Sequence, residues 1–211
     1  MKIVAVSDTH MLYELIKVPK GDVFIHAGDI DLYTVEDAFR FNKWLGTLPH
    51  KHKIVIGGNH DKWLATNSRS FISKILDNAT YLENSGITIN GIKFWGSPIT
   101  PTFKNWYFMA KRGVEIRLYW EEIPMNTDVL ITHGPPLGIL DEAPPMYSSH
   151  HAGCGDLLNR VKIVKPTLHI FGHIHYSRGT KTEGKTKFIN VSCSNEAYEL
   201  YYKPYTNAQV R

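Results

Sequence analysis

Cysteine is nearly missing from this chain: its 211 residues contain only Cys154 and Cys193. Two thiols cannot build the disulfide framework of a small secreted domain, which removes that class. Long apolar runs are missing too, and no stretch approaches the ~18 consecutive apolar residues of a transmembrane helix. The apolar run at Met1-Lys2-Ile3-Val4-Ala5-Val6-Ser7 is too short for a secretory signal and meets an acid at Asp8. It reads as the first strand of a cytoplasmic protein. Blocks of like charge are also lacking. The 24 basic and 20 acidic residues leave a formal net charge of +4, spread along the chain. That balance tolerates an anionic substrate, and it neither announces nor excludes nucleic acid. No repeat, low-complexity tract or linker appears, so the length predicts one domain over residues 1–211.

What is present is an ordinary globular composition, 43% hydrophobic and 21% charged, with eleven histidines. Short β-branched runs predict buried strands at 3–6, 23–26, 54–56, 129–132, 168–171 and 188–191. Residues 87–95 predict a hairpin, because Asn90-Gly91 is the strongest two-residue turn signal. Helical patterns cover 35–48, 68–78, 113–122 and 155–164. This alternation predicts an α/β fold, and the hairpin in the middle makes it one mixed sheet or two sheets.

Five of the strands end alike. They run into Ser7-Asp8-Thr9-His10, Gly28-Asp29-Ile30, Gly57-Gly58-Asn59-His60-Asp61, Thr132-His133-Gly134 and Gly172-His173-Ile174-His175. Loops at the carboxyl ends of strands build the ligand sites of open α/β sheets. Convergence of these five would gather carboxylates, imidazoles and an amide at one place. Such a set suits two divalent ions of the Zn, Mn, Fe, Ni or Co type better than Ca²⁺ or Mg²⁺. Asp8, His10, Asp29 and His175 are the expected ligands of one ion. Asn59, His133, His173 and a shared Asp29 are those of the other. The i, i+2 pairs Asp8/His10 and His173/His175 point the same way in an extended loop. Two divalent ions against two carboxylates leave a positive centre, which suits a phosphate group.

At this point the motifs resemble those of the calcineurin-like metallophosphoesterases. The family's D-x-H, G-D, G-N-H-D/E, H and G-H-x-H pattern is met by Asp8-Thr9-His10, Gly28-Asp29, Gly58-Asn59-His60-Asp61, His133 and Gly172-His173-Ile174-His175. Each motif alone is weak, but all five follow a strand, in order. Thr132-His133-Gly134-Pro135-Pro136-Leu137-Gly138 and Gly153-Cys154-Gly155-Asp156-Leu157-Leu158 further resemble the metallophosphoesterase-domain-containing, or brain-protein-239-like, subgroup. Some animal members of that subgroup carry Gly where this chain has His173, so the resemblance implies an intact second metal site here. It also implies a four-layer αββα sandwich of mixed sheets flanked by helices. The activity it implies is hydrolysis of a small, nucleotide-like phosphodiester by in-line attack of a metal-bridging hydroxide, with manganese the expected ion in vitro. A catalytically silent scaffold, a phosphomonoesterase and a nuclease are the alternatives.

Within that reading, Asn59 and His60 are the expected substrate contacts. His60, beside the ligand Asn59, is the expected general acid, and Asp61 the carboxylate that holds its ring. Asp61 has a second reading as the cap of a following helix. His26 and His169 lie inside apolar strands and read as core or supporting groups, while His50 and His52 read as solvated. His150 and His151 fall in the Pro/Ser/His segment 143–153, read as an ordinary loop with phosphate contact as the alternative. The aromatic segment from Phe103 to Phe108 reads as a hydrophobic plug, with base stacking as the alternative.

Overall fold

The apolar runs pair into two facing sheets. The computed structural model describes residues 1–145, 150–195, 197–200 and 204–209. The strands are β1 (Lys2–Val6), β2 (Val23–Ala27), β3 (His52–Ile56), β4 (Thr80–Tyr81), β5 (Ser85–Ile89) and β6 (Ile92–Ser97), followed by β7 (Thr100–Pro101), β8 (Met109–Ala110), β9 (Val129–Thr132), β10 (Leu168–Phe171), β11 (Gly179–Glu183), β12 (Thr186–Asn190) and β13 (Tyr205–Gln209). The helices are α1 (Val35–Thr47), α2 (Lys62–Thr66), α3 (Arg69–Ile75), α4 (Val114–Glu121) and α5 (Gly155–Val164). The first sheet runs β13-β1-β2-β3-β4 and the second β11-β12-β10-β9-β6-β5, with β7 and β8 a separate short pair. Each large sheet has a parallel centre, and antiparallel strands stand at its edges: β13 in the first, β5 and β11 in the second.

The expected hairpin is β5–β6. Asn90 and Gly91 both have positive φ, 50° and 81°, as a two-residue primed turn demands. A second hairpin, β11–β12, was not legible in the sequence, because β11 is a polar edge strand with a largely exposed face. α1 opens on a capping box between Thr34 and Asp37 and stops before Leu48-Pro49, where the coming proline disfavours a helical residue. α3 stops at Ile75, short of the expected Asn78. Asn42 takes over the following residues: its amide donates to Asp77 at 2.7 Å, and its Oδ1 accepts from the Asn78 N–H at 3.0 Å.

Three apolar clusters define four layers. Ile3, Ile25 and Ile54 of the first sheet meet Phe94, Ile131, Ile170 and Ile189 of the second. On the outer face of the first sheet, Val4, Phe24 and Val55 pack against Ala38, Phe41, Leu45 and Ile72 of α1 and α3. On the outer face of the second, Leu130 and Phe171 pack against Ile116, Trp120, Leu157 and Val161 of α4 and α5. This is the expected αββα sandwich. Among the described residues no helix is long and apolar enough to cross a membrane.

The topology positions the site. β1, β2 and β3 are parallel neighbours in one sheet, and so are β9 and β10 in the other. Their carboxyl ends therefore emerge along one edge of each sheet. Ser7 staples those edges together: its N–H donates to the Val191 carbonyl at 3.2 Å, and its carbonyl accepts from the Cys193 N–H at 2.9 Å. His50, expected in solvent, is instead only 2% exposed and packs its ring 5.6 Å from Phe24. The turn before β3 sets it against Phe24 and Gly21, where the flanking lysines gave no sign of burial.

Candidate metal centre

The strand-end loops bend sharply. Asp8, His10, Asp29, Asp31 and His173 have φ of 56°, 43°, 54°, 70° and 68°. This left-handed region costs a residue with a side chain about 1–2 kcal/mol. Such conformations persist where the surroundings over-determine them, and they cluster at functional sites. Glycines let the loops approach. A Cβ on Gly28 would lie 2.6 Å from the Gly57 carbonyl oxygen and from His133 Nδ1, and one on Gly172 would land on the Asp8 carboxylate and the Ser7 side chain.

These bends bring the donors together. Asp8, His10 and His175 form one set whose ligand atoms lie within 4.8 Å of one another, and Asp29, His133 and His173 form another. Asn59 joins the second set, its Oδ1 3.1 Å from His133 Nε2. The seven residues singled out from the sequence thus fall into two adjoining groups, with Asp29 in the second only. The i, i+2 spacing works for Asp8 and His10 but not for His173 and His175. Asp8, His10 and His173 all have positive φ, so neither loop is extended, and only the first pair shares a group.

Three of the imidazoles are held in the same manner. Nδ1 of His10 faces Asp31 Oδ1 at 3.0 Å, Nδ1 of His133 faces the Ala27 carbonyl at 2.9 Å, and Nδ1 of His175 faces the Asn195 carbonyl at 2.9 Å. An acceptor behind Nδ1 keeps the proton there and turns the Nε2 lone pair forward. Forward, His10 Nε2 and His175 Nε2 lie 3.4 Å apart, and His133 Nε2 lies 3.3 Å from Asp29 Oδ1. Nitrogen and carboxylate donors aimed at two points, with their rings oriented from behind, fit two divalent cations of borderline softness.

The electrostatics point the same way. Burial opposes charge on Asp8, yet the hydrogen bond and charge of His175, with the charge of His133, hold it below the usual carboxylate range. Asp29, equally buried, is held well below that range by His133. Burial pushes His133 down, but Asp29 against it lifts it to about 9. His173 falls to about 3, first through burial and then through the charge of His133. The two carboxylates draw positive charge to this point, and His173 is kept neutral, the form in which an imidazole ligates.

Behind the ligand loops, Thr9 Oγ1 meets His26 Nε2 at 3.0 Å and Thr132 Oγ1 meets His169 Nε2 at 2.8 Å. Both histidines are fully buried, and burial lowers each to about 3, so they are neutral supports. Asp61 corrects an expectation. It does not hold the His60 ring, and its side chain does not cap α2. Its carboxylate accepts from the backbone N–H groups of Ile30 and Leu32, each at 3.1 Å, and of Gly58 at 2.8 Å. It thereby buckles the loop after β2 to the loop after β3. Burial and the nearby Asp29 raise it to about 7.

The carboxylate beside His60 is Asp31, with Oδ1 3.6 Å from His60 Nδ1 and 3.0 Å from His10 Nδ1. Sequence reasoning missed it, although the i, i+2 step from Asp29 to Asp31 repeats that from Asp8 to His10. The His60 ring stacks on Trp106 at 4.3 Å between centroids and meets His10 edge-on at 5.1 Å. Its backbone N–H donates to Asp29 Oδ1 at 2.9 Å.

A cavity of about 380 Å³ opens over both groups, with Asn59, His60, His173 and His175 in its floor. Phe103, Lys104 and Trp106 stand in its wall, so that half of the aromatic segment is no plug, whereas Phe108 packs into the core against Gly57. Tyr198, itself at φ 60°, sets its ring edge-on to His10 at 4.4 Å. The aromatic run around Tyr198 and Tyr205 carried no reading from the sequence, and its residues 201–203 lie outside the described ones. His151 pairs with Asp141 at 2.8 Å, and neither it nor His150 lines the cavity.

Comparison with known proteins finds one family by sequence and the same fold by structure. The calcineurin-like phosphoesterase family model matches residues 1–177. Human metallophosphoesterase domain-containing protein 1 is 38% identical over 96% of this chain and 69% of its own length. A UPF0046 protein of Caenorhabditis elegans is 37% identical over 97% of this chain and 73% of its own. The crystal structure of phosphopantetheinyl hydrolase from Mycobacterium tuberculosis shares the fold, with a TM-score of 0.62 and 16% identity over 93% of this chain and 90% of that one.

Proposed function

This chain belongs to the calcineurin-like phosphoesterase family, and from that premise we propose that it is a metal-dependent phosphodiesterase acting on small, nucleotide-like phosphoesters. The observation that carries the reading is the shared setting of His10, His133 and His175, each fixed at Nδ1 with Nε2 turned toward the other donors, around Asp8 and Asp29. Asp8, His10 and His175 would hold one divalent ion. Asp29, Asn59, His133 and His173 would hold the other. When bound, two such ions polarise the phosphoryl oxygens and lower the pKa of water toward ~7.

The remaining work falls to the chain's own side chains. His60 stands at the cavity surface and delivers a proton to the departing oxygen, or donates a hydrogen bond to its growing charge. Asp31 Oδ1 lies 3.6 Å from Nδ1, near enough to pair with the protonated ring, which leaves Nε2 for that task. Trp106 stacked on the ring prevents it from rotating away. Asp61 holds the His60 loop to the Asp29 loop, so that the acid and the ligands keep their spacing. No Ser or Cys nucleophile is required, and Cys154 and Cys193 are buried away from the cavity.

The test is hydrolysis of bis-p-nitrophenyl phosphate by metal-stripped protein, before and after addition of Mn²⁺. Turnover that appears only with the ion supports the reading. No turnover with Mn²⁺, Co²⁺, Ni²⁺ or Zn²⁺, in protein that still binds two ions, would favour a silent scaffold instead.

A further inference from the structure

We infer that the cavity holds a second anion-binding subsite, built on Arg112 with Lys104, for an acidic group at the far end of a small phosphoester. The inference rests on the phosphoesterase reading and narrows its substrate class: the ester carries a second carboxylate or phosphate.

Both cations line the cavity, and neither forms an ion pair among the described residues. Both are exposed, but Arg112 is anchored. One terminal nitrogen of its guanidinium donates to the Gly153 carbonyl at 2.7 Å and the other to the Ala152 carbonyl at 2.9 Å. Carbonyl partners fix the fork without cancelling its charge. The nearby carboxylates are engaged elsewhere. Asp141 accepts from the Gly138 and Gly153 N–H groups at 2.9 and 3.0 Å and pairs with His151, while Asp156 accepts from the Gly113 N–H at 3.0 Å. Among the described lining residues the only carboxylate is Asp29, which belongs to the metal groups.

The reacting phosphoryl group has no need of Arg112, because the proposed ions already make the floor positive. A second positive site in the wall therefore addresses a second negative charge on the same ligand. Between charged ends such a ligand needs an apolar or flat body, and Pro101, Phe103 and Trp106 supply the matching wall. At about 380 Å³ the space fits a small molecule. A guanidinium already held in place loses little freedom on binding, and its remaining N–H groups, one on each terminal nitrogen and one on Nε, suit a carboxylate or phosphate.

Matched ligands test this: benzylphosphonate, 4-carboxybenzylphosphonate and p-xylylenediphosphonate, which cannot be hydrolysed and differ in the far group alone. Their binding to Mn²⁺-loaded protein is measured by calorimetry and by inhibition of bis-p-nitrophenyl phosphate turnover. The acid-ended ligands should bind about 10- to 100-fold more tightly than benzylphosphonate, the usual weight of charge-assisted hydrogen bonds. Whichever of the two gains more identifies the far group as carboxylate or phosphate. Arg112→Gln should erase most of that preference and leave benzylphosphonate binding and diester turnover unchanged, and Lys104→Ala should erase less. Equal binding of all three by the wild-type protein would overturn the subsite, whatever the variants do. If the diester is not hydrolysed and benzylphosphonate is not bound, the phosphoesterase reading fails first and the subsite falls with it.

Discussion

At the floor of the cavity nearly every group is fixed by several others; along its wall the anchoring is uneven, from Arg112 with two carbonyl partners to Phe103 with one ring neighbour. Asp8 takes two bonds from the His173 N–H at 3.1 and 3.0 Å, its carbonyl accepts from Ser194 Oγ, and Gly172 leaves no room for a Cβ beside it. Phe103 in the wall is 52% exposed and has one ring neighbour among the described residues, His173 at 5.5 Å. The floor is built where the parallel centres of the two sheets end, so backbone ladders, loop bonds and buried rings all converge on it. The wall is built from connections that leave the sheets. The difference teaches that this molecule keeps one rigid place for charge and chemistry, and a looser one for recognition.

Breaking the floor should have the largest effect. Asp29→Ala should lower bound metal from about two ions per chain to one or fewer and cut turnover by about 10³-fold or more, since ions supply several kcal/mol of charge stabilisation. Metal analysis alongside bis-p-nitrophenyl phosphate kinetics reads both. His60 belongs to the floor but stacks on Trp106 of the wall. His60→Ala should keep both ions yet lose ~10²–10⁴ in rate, the range of general acid–base help. The loss should be greatest for esters with poor leaving groups, and a rate near wild type for such an ester would remove His60 from the mechanism.

Smaller effects should sharpen the boundary. Asp31→Asn touches His10 on one side and His60 on the other, so it should weaken metal affinity and lower kcat together, each by about 10–100-fold. A fall in kcat with unaltered metal affinity would assign Asp31 to His60 alone. Trp106→Ala belongs to the wall and should change KM and kcat by about 2- to 10-fold, the weight of one aromatic stacking contact. Its metal content and thermal stability should stay as in the wild type. Loss of metal from this variant would show that the wall supports the floor after all.

The same contrast explains what the sequence disclosed. The floor was legible because its residues sit at fixed offsets from buried strands, and the strands announce themselves through β-branched runs. The same runs and the Asn90-Gly91 turn left one mixed sheet or two sheets open, and the four-layer sandwich came as what the family resemblance implied. Asp61 was misread because its motif neighbour His60 looked like its partner, whereas the chain turns its carboxylate back onto three backbone N–H groups. Asp31 was passed over because the Gly28-Asp29 motif ends one step too early, and only the folded loop sets it between two imidazoles. The wall was the least legible. Arg112, Trp106 and Tyr198 come from separate segments, and their meeting around one cavity depends on loop paths that no local periodicity encodes. His50 went wrong for a related reason: its burial comes from the chain around it, not from its lysine-rich neighbours.

The central claim is that the floor is a ready-made site for two ions, and the most direct measurement is calorimetric titration of metal-free protein with Mn²⁺, checked by metal analysis after dialysis. The account predicts about two ions per chain, with one site lost in Asp29→Ala while both remain in His60→Ala. A stoichiometry of one or none in correctly folded wild-type protein would contradict it.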